Sequence, residues 1–207
     1  MNTDQVIGLI AASRYKLPSN RGLLVAVSGI DGSGKSTITG KIVERLESMG
    51  MRSALIGLDA WHNPPEKRFC DDNPARHFYD HAFRFDELFE TLIDPLVKGR
   101  SLHKKIQLTR LPQNDFYVHS FDLDDIDVII LEGIFLFKKA LIGKYDLSFW
   151  VECSFETALR RAILRNQEGL AEDEIIRDYD KIYFPAQRIH FAADEPASCV
   201  NGVVSNE

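Results

Sequence analysis

Cysteine is scarce in this chain, with three in 207 residues, Cys70, Cys153 and Cys199. They are far apart, odd in number and lack Cys-x-x-Cys spacing, which excludes a disulfide framework and a structural zinc site and fits reduced thiols in a cytoplasmic protein. No apolar run approaches the length of a membrane span. The short run from Val6 to Ala12 follows Asp4 without a basic leader, which is not the pattern of a secretory signal. An excess of positive charge is also missing. Lys and Arg total 25 against 31 Asp and Glu, a formal net charge of -6, so the chain lacks the basic footprint of a nucleic-acid partner. Net charge does not describe a single cleft, however, and a local phosphate pocket remains compatible with it. There is no internal repeat, low-complexity tract or linker. His77, His81, His103, His119 and His190 are scattered, as structural or solvent-facing side chains are, rather than clustered as metal ligands.

What remains is ordinary globular composition, 44% hydrophobic and 27% charged, at a length that suits one compact α/β domain over residues 1–207. A partly helical pattern covers Thr3 to Lys16. Leu23 to Val27 reads as a buried parallel strand. Ile38, Ile42, Val43 and Leu46 share one face of a helix from Lys35 to Met49, which Gly50 ends. A second strand runs from Arg52 to Leu58. Ala60 to His81, rich in Pro, Asp, His and aromatics, reads as an irregular functional loop. Phe85 to Val97 is helical, with Pro95 near its end. Ser101 to Leu123 alternates weakly and holds one or two short strands. Asp127 to Leu131 and Leu147 to Val151 are strands, and Ser154 caps a following helix. Another helical stretch begins near Asp173 and passes Tyr183, and a last strand lies around Val200 to Val204. Alternating strands and helices imply a parallel sheet covered on both faces.

Between the first strand and its helix stands Gly29-Ile30-Asp31-Gly32-Ser33-Gly34-Lys35-Ser36-Thr37, which contains G-x-x-x-x-G-K-[ST] in the strand–loop–helix context that gives this motif meaning. The glycines let the backbone turn tightly and present N–H groups to an anion at the helix N-terminus. Gly29, Asp31, Gly32, Ser33, Gly34, Lys35, Ser36 and Thr37 are therefore the candidate nucleotide-binding set. Lys35 reaches the β- and γ-phosphates of ATP, and the Ser36 hydroxyl ligates Mg²⁺. Ligands of open α/β sheets lie beyond the carboxyl ends of strands, and that rule selects two further residues. Glu132 closes Val128-Ile129-Ile130-Leu131 and is the candidate second Mg²⁺ ligand, or a strand cap. Asp59 ends the second strand and is the candidate general base toward an acceptor hydroxyl, or a helix N-cap. Trp61 and His62 follow it, where an aromatic lines either an acceptor pocket or the core. Asp125 and Asp127 sit at the opposite end of the Glu132 strand and are expected to face solvent.

These residues resemble the uridine kinase / phosphoribulokinase-like family of P-loop kinases. The phosphate loop matches from Ser28 to Thr37. Asp59-Ala60-Trp61-His62 resembles the family's Asp-x-Phe-Tyr element, whose Asp is the base. Asp80-His81-Ala82-Phe83-Arg84-Phe85-Asp86 resembles its Asp-His-Pro-x-Ala-Phe-Asp stretch, which implies acceptor-binding roles for Asp80 and Arg84. Ile130 to Phe135 resembles its Glu-Gly-hydrophobic element, and Arg160 to Arg165 its arginine-bearing lid helix. The resemblance implies a five-stranded parallel core, acceptor-binding insertions at about 60–84 and 101–123, and a lid at about 160–172 in which Arg161 and Arg165 neutralise the transferring phosphate or else face solvent. It departs at Leu108 to His119, where uridine kinases carry Tyr-Asp-Phe-x-x-His-x-Arg, and after the lid helix, where Asn166-Gln167-Glu168-Gly169-Leu170 replaces a second arginine cluster.

The function expected is ATP-dependent phosphorylation of a hydroxyl on a small molecule, a nucleoside such as uridine or cytidine or a related sugar-like metabolite. Nicotinamide riboside, pantothenate and a phosphosugar are alternative acceptors. A nucleotide-binding regulatory protein is the alternative from another class, although the Asn-Lys-x-Asp motif of GTP-specific switches is absent. A homo-oligomer is compatible with the sequence.

Overall fold

The computed structural model describes residues 1–166 and 169–207. Helix α1 (Thr3–Lys16) starts at Asn2, whose Oδ1 accepts from the Gln5 N–H while the Gln5 side chain accepts from the Asn2 N–H, a reciprocal cap. Strand β1 (Leu23–Gly29) is buried throughout and leads through the glycine-rich loop into α2 (Lys35–Ser48). Strand β2 (Ser53–Gly57) follows and ends in a 3₁₀ turn, Leu58–Trp61.

The segment expected to be irregular instead forms two helices, α3 (Pro65–Arg68) and α4 (Pro74–His81). Each begins with proline, whose fixed φ suits the first helical turn, and Asn73 caps α4 by accepting from the Arg76 N–H. Their brevity hides any hydrophobic period. The expected helix from Phe85 is divided into α5 (Phe85–Leu88), a π-helical turn (Phe89–Ile93) and α6 (Asp94–Gly99). Pro95 has no N–H to give the carbonyl four residues back, and its ring crowds that carbonyl; the wider turn before it absorbs the mismatch. The same arrangement precedes Pro185.

Strands β3 (Leu102–Arg110) and β4 (Asp115–Leu123) form a separate antiparallel hairpin of nine-residue strands, longer than the weak alternation suggested. Strand β5 (Val128–Gly133) comes next, then a 3₁₀ turn at Ile142–Lys144 and β6 (Leu147–Glu152). Helix α7 (Phe155–Arg165) is capped by Ser154, as expected. Helix α8 (Glu172–Asp178), a π turn (Tyr179–Tyr183), α9 (Phe184–Asp194) and β7 (Gly202–Ser205) complete the chain.

The five sheet strands run parallel in the order β2-β5-β1-β6-β7. Alternate residues feed two cores, because side chains of a strand point to opposite faces. Leu24, Ala26, Ile129 and Leu131 pack toward Leu88, Leu92, Leu96 and Trp61. Leu23, Val25, Val128 and Ile130 pack toward Val6, Ile10, Ile42 and Leu46. Asp127, expected in solvent, is held instead at the amino end of β5 by Arg14 at 3.0 Å and Arg100 at 2.9 Å. Among the described residues no helix is long and apolar enough to cross a membrane.

Candidate active site

The parallel register carries β1, β2 and β5 to the same edge of the sheet: Gly57 lies beside Glu132, and Ser28 beside Gly133. Beyond that edge is a cavity of about 730 Å³, lined by Asp31, Gly32, Gly34, Lys35, Ser36, Thr37, Asp59, His62, Glu132, Arg161 and Arg165 among others. Residues predicted from four distant stretches of sequence thus meet around one space. Gly29 and Ser33 of the predicted loop set lie behind it, in the loop backbone, and do not line it.

The loop backbone needs its glycines. Gly32 has φ +75° and Gly34 φ +85°, values that L side chains avoid. A Cβ on Gly32 would also lie 2.5 Å from the Ala158 carbonyl oxygen, and one on Gly34 would lie 2.3 Å from Asn206 Nδ2. Lys35 is 8% exposed, and its Nζ donates to the Ile30 carbonyl at 2.8 Å, across the loop. Asp31 is fixed from both sides: Oδ1 accepts from the Gly32 N–H at 2.9 Å, and Oδ2 accepts from the Tyr179 hydroxyl. Burial, with the Asp31 charge and hydrogen bond adding to it, pushes the Tyr179 phenol far above its ordinary value, so it stays a donor.

Ser36 and Glu132 meet as expected, the hydroxyl donating to the carboxylate with 3.1 Å to each oxygen. Burial raises the Glu132 pKa, and the Asp59 charge raises it further; Lys35, the Ser36 bond and Arg165 pull it down. The two donors here are both oxygens, a hydroxyl and a carboxyl, the kind of set that hard Mg²⁺ takes. Among the described residues no group of three or more His, Cys, Asp or Glu could hold a metal.

Asp59 is carried on the 3₁₀ turn that ends β2, and its carbonyl oxygen lies 2.8 Å from His62 Nδ1. Burial lowers the His62 pKa, opposed by the Asp59 charge and helped by Arg68, so the ring is neutral near pH 7. The Asp59 carbonyl can only accept, which places the His62 proton on Nδ1.

Three of the anticipated acceptor residues do not line the cavity. Trp61 is 1% exposed and belongs to the core, because the 3₁₀ turn rotates it beneath the sheet edge while His62 faces the cavity. Asp80 pairs with Arg76 on the outside of α4 at 2.6 Å. Arg84 stacks over Trp61 and donates to Gln107 and Thr109 of the hairpin, which makes it a strut for β3. Arg165 approaches Asp31 at 3.7 Å. Arg161 also reaches the cavity, but its Nη1 donates to the Asn206 carbonyl at 2.9 Å and to the Ser33 carbonyl at 3.4 Å. Gln167 and Glu168 of the expected lid lie outside the described residues.

Sequence reasoning missed Tyr179 and Asn206. Each joins the loop from more than a hundred residues away, and no local pattern marks either. It also missed Phe69 and Phe78, near-parallel rings 5.8 Å apart that line the cavity near His62.

Known proteins share sequence and fold with this chain. Uridine-cytidine kinase B of Dictyostelium discoideum is 29% identical over 177 residues, covering 81% of this chain and 69% of its own length. A uridine kinase of Staphylococcus aureus is 29% identical over 170 residues, covering 78% of each. Among solved structures, a protein from Silicibacter sp. TM1040 described as a candidate fructose transport system kinase superposes with a TM-score of 0.77 at 18% identity, over 99% of both chains; at that identity the likeness shows the fold alone. Residues 24–181 match the phosphoribulokinase / uridine kinase family. The match takes in the phosphate loop, the strand ends at Asp59 and Glu132 and the arginine-bearing helix, and the chain belongs to that family of ATP-dependent kinases.

Proposed function

We propose that this kinase transfers the γ-phosphoryl group of ATP to a hydroxyl of a nucleoside, with uridine or cytidine as the first candidates. The observation that carries the reading is the convergence of Lys35, Ser36, Asp59 and Glu132 on one cavity, since phosphoryl transfer needs a phosphate cradle and a proton acceptor within reach of the same hydroxyl. The aromatic rings of Phe69 and Phe78 beside His62 supply a flat apolar wall of the kind a base packs on, and both curated relatives are named as kinases of pyrimidine nucleosides.

In this reading the loop N–H groups and Lys35 bind the phosphates, Asp59 orients the acceptor hydroxyl and takes its proton, and Arg165 leaves Asp31 for a phosphate oxygen. The phosphoryl–oxygen bond to ADP breaks as the bond to the acceptor oxygen forms. Ser36 and Glu132 would hold Mg²⁺, which supplies charge neutralisation at the phosphate oxygens. His62, neutral with its proton on Nδ1, offers Nε2 as an acceptor to a neighbouring donor of the substrate.

The test is ADP release by purified protein across uridine, cytidine, nicotinamide riboside, pantothenate and sugar phosphates. Uridine or cytidine should stimulate turnover most. A larger response to one of the others replaces the nucleoside, and a folded, ATP-binding protein that responds to none supports a regulatory role.

A further inference from the structure

A phosphate loop works only if its peptide planes point their N–H groups at the anion. In a trans peptide the C=O and the following N–H point in opposite directions, so the plane between Ser33 and Gly34 is oriented by whatever holds the Ser33 carbonyl. Two donors hold it, one from α7 and one from the segment that follows β7. Asn206 Nδ2 donates to Ser33 O at 2.6 Å, and Arg161 Nη1 donates to it at 3.4 Å. The two are tied to each other, since Arg161 Nη1 also donates to the Asn206 carbonyl at 2.9 Å. Asn206 is itself fixed where it leaves the sheet edge, its N–H donating to Glu152 O at 2.9 Å.

We propose that Asn206 is a positioning residue for phosphate binding: with Arg161 it clamps the Ser33 carbonyl outward and so aims the Gly34 N–H into the cleft. Gly34 lines the cavity, whereas Ser33 is fully buried behind it, the placement such a clamp requires. Gly34 is the one loop position whose Cβ would strike the clamp, at 2.3 Å from Asn206 Nδ2. The clamp also explains why Arg161 is turned onto backbone: it fixes the loop from the helix side while Arg165 keeps the cavity side. A flip of this peptide would put a carbonyl oxygen against a phosphate, which is repulsive, so the clamp acts on nucleotide affinity before any chemistry.

The inference rests on the reading that nucleotide phosphate binds this loop, and the experiment separates the two. ADP affinity is measured by titration calorimetry for the wild type, Asn206→Ala and Asn206→Asp, with the Gly34 amide followed by NMR as ADP is added. Loss of one hydrogen bond should weaken ADP binding about tenfold in Asn206→Ala. Asn206→Asp, which sets a carboxylate against the carbonyl, should weaken it several-fold more. The Gly34 amide should shift strongly on ADP addition in the wild type and much less in both variants, while the melting temperature without nucleotide stays near that of the wild type. Should Asn206→Ala fail to fold, Arg161→Gln with the same Gly34 readout decides, and a reduced shift is expected there too. Wild-type protein that does not bind ADP refutes the functional reading. Wild-type binding with unchanged affinity and an unchanged Gly34 shift in the variants refutes the clamp.

Discussion

Asp59 and His62 are three positions apart on one tight turn, and the turn decides which chemistry each offers. The Asp59 side chain lines the cavity while its carbonyl engages His62, so one residue presents a carboxylate to the substrate and fixes the tautomer of its neighbour. Replacing that carboxylate by an amide keeps the shape and removes the base. Asp59→Asn should therefore bind ATP normally and lower kcat by about 10²–10⁴-fold, as read by isothermal titration and steady-state turnover in parallel; a fully active variant would move the base elsewhere. Trp61 shows the limit of reading at this scale. An aromatic beside a base is equally at home in a pocket and in a core, and only the rotation of the 3₁₀ turn assigns it to the core.

The β3–β4 hairpin lies outside the main sheet, buries Ile106 and Leu108 in the core below that sheet, and is fixed further by a few polar contacts. Thr109 Oγ1 donates to the His62 carbonyl at 2.7 Å, and Arg84 donates to the Gln107 carbonyl and to Thr109. The hairpin tip is held at Asn114, whose Oδ1 accepts from Arg68. Thr109→Val keeps the branched shape and deletes the hydroxyl, so it should cost about 1 kcal/mol and lower the melting temperature by about 2–4 °C, and it should raise KM for the acceptor more than KM for ATP. Calorimetric melting and the two KM values check this. In the parallel sheet the elements are secured mainly by apolar burial. Ile42, fully buried between α2 and the sheet, should cost about 2–5 kcal/mol when cut to Ala, visible as a lower denaturant midpoint with an unchanged slope.

The molecule as a whole carries two buried histidines that stay neutral at ordinary pH. His190 is fully buried, its Nδ1 2.7 Å from Asp194, and burial lowers its pKa below 6.5, with Asp194 opposing that shift; His62 is lowered for the same main reason. A folded-state pKa below the unfolded one means that the unfolded chain binds more protons in between. Stability should therefore fall as pH drops through about 6.5 toward the lowered folded values, and hold above that window. Melting curves from pH 7.5 to 5.5 should show this decline, and it should be shallower in His190→Gln. The sequence by itself determined the phosphate loop and the alignment of Asp59 and Glu132 with it. The reason is that a motif is local and a parallel strand sends its carboxyl end to one known edge. The family resemblance rested on the same local stretches, in order. The sequence also marked most helices and strands, missing α3 and α4 because they are too short to show a period and the full hairpin because its alternation is weak. What only the tertiary structure decided are the partners brought from afar: Tyr179 on Asp31, Asn206 and Arg161 on Ser33, and Arg14 and Arg100 on Asp127. Hydrophobic periodicity reports which face of an element is buried, but which polar side chain meets which backbone group depends on how the finished elements pack, and that information lies in no single stretch of the chain.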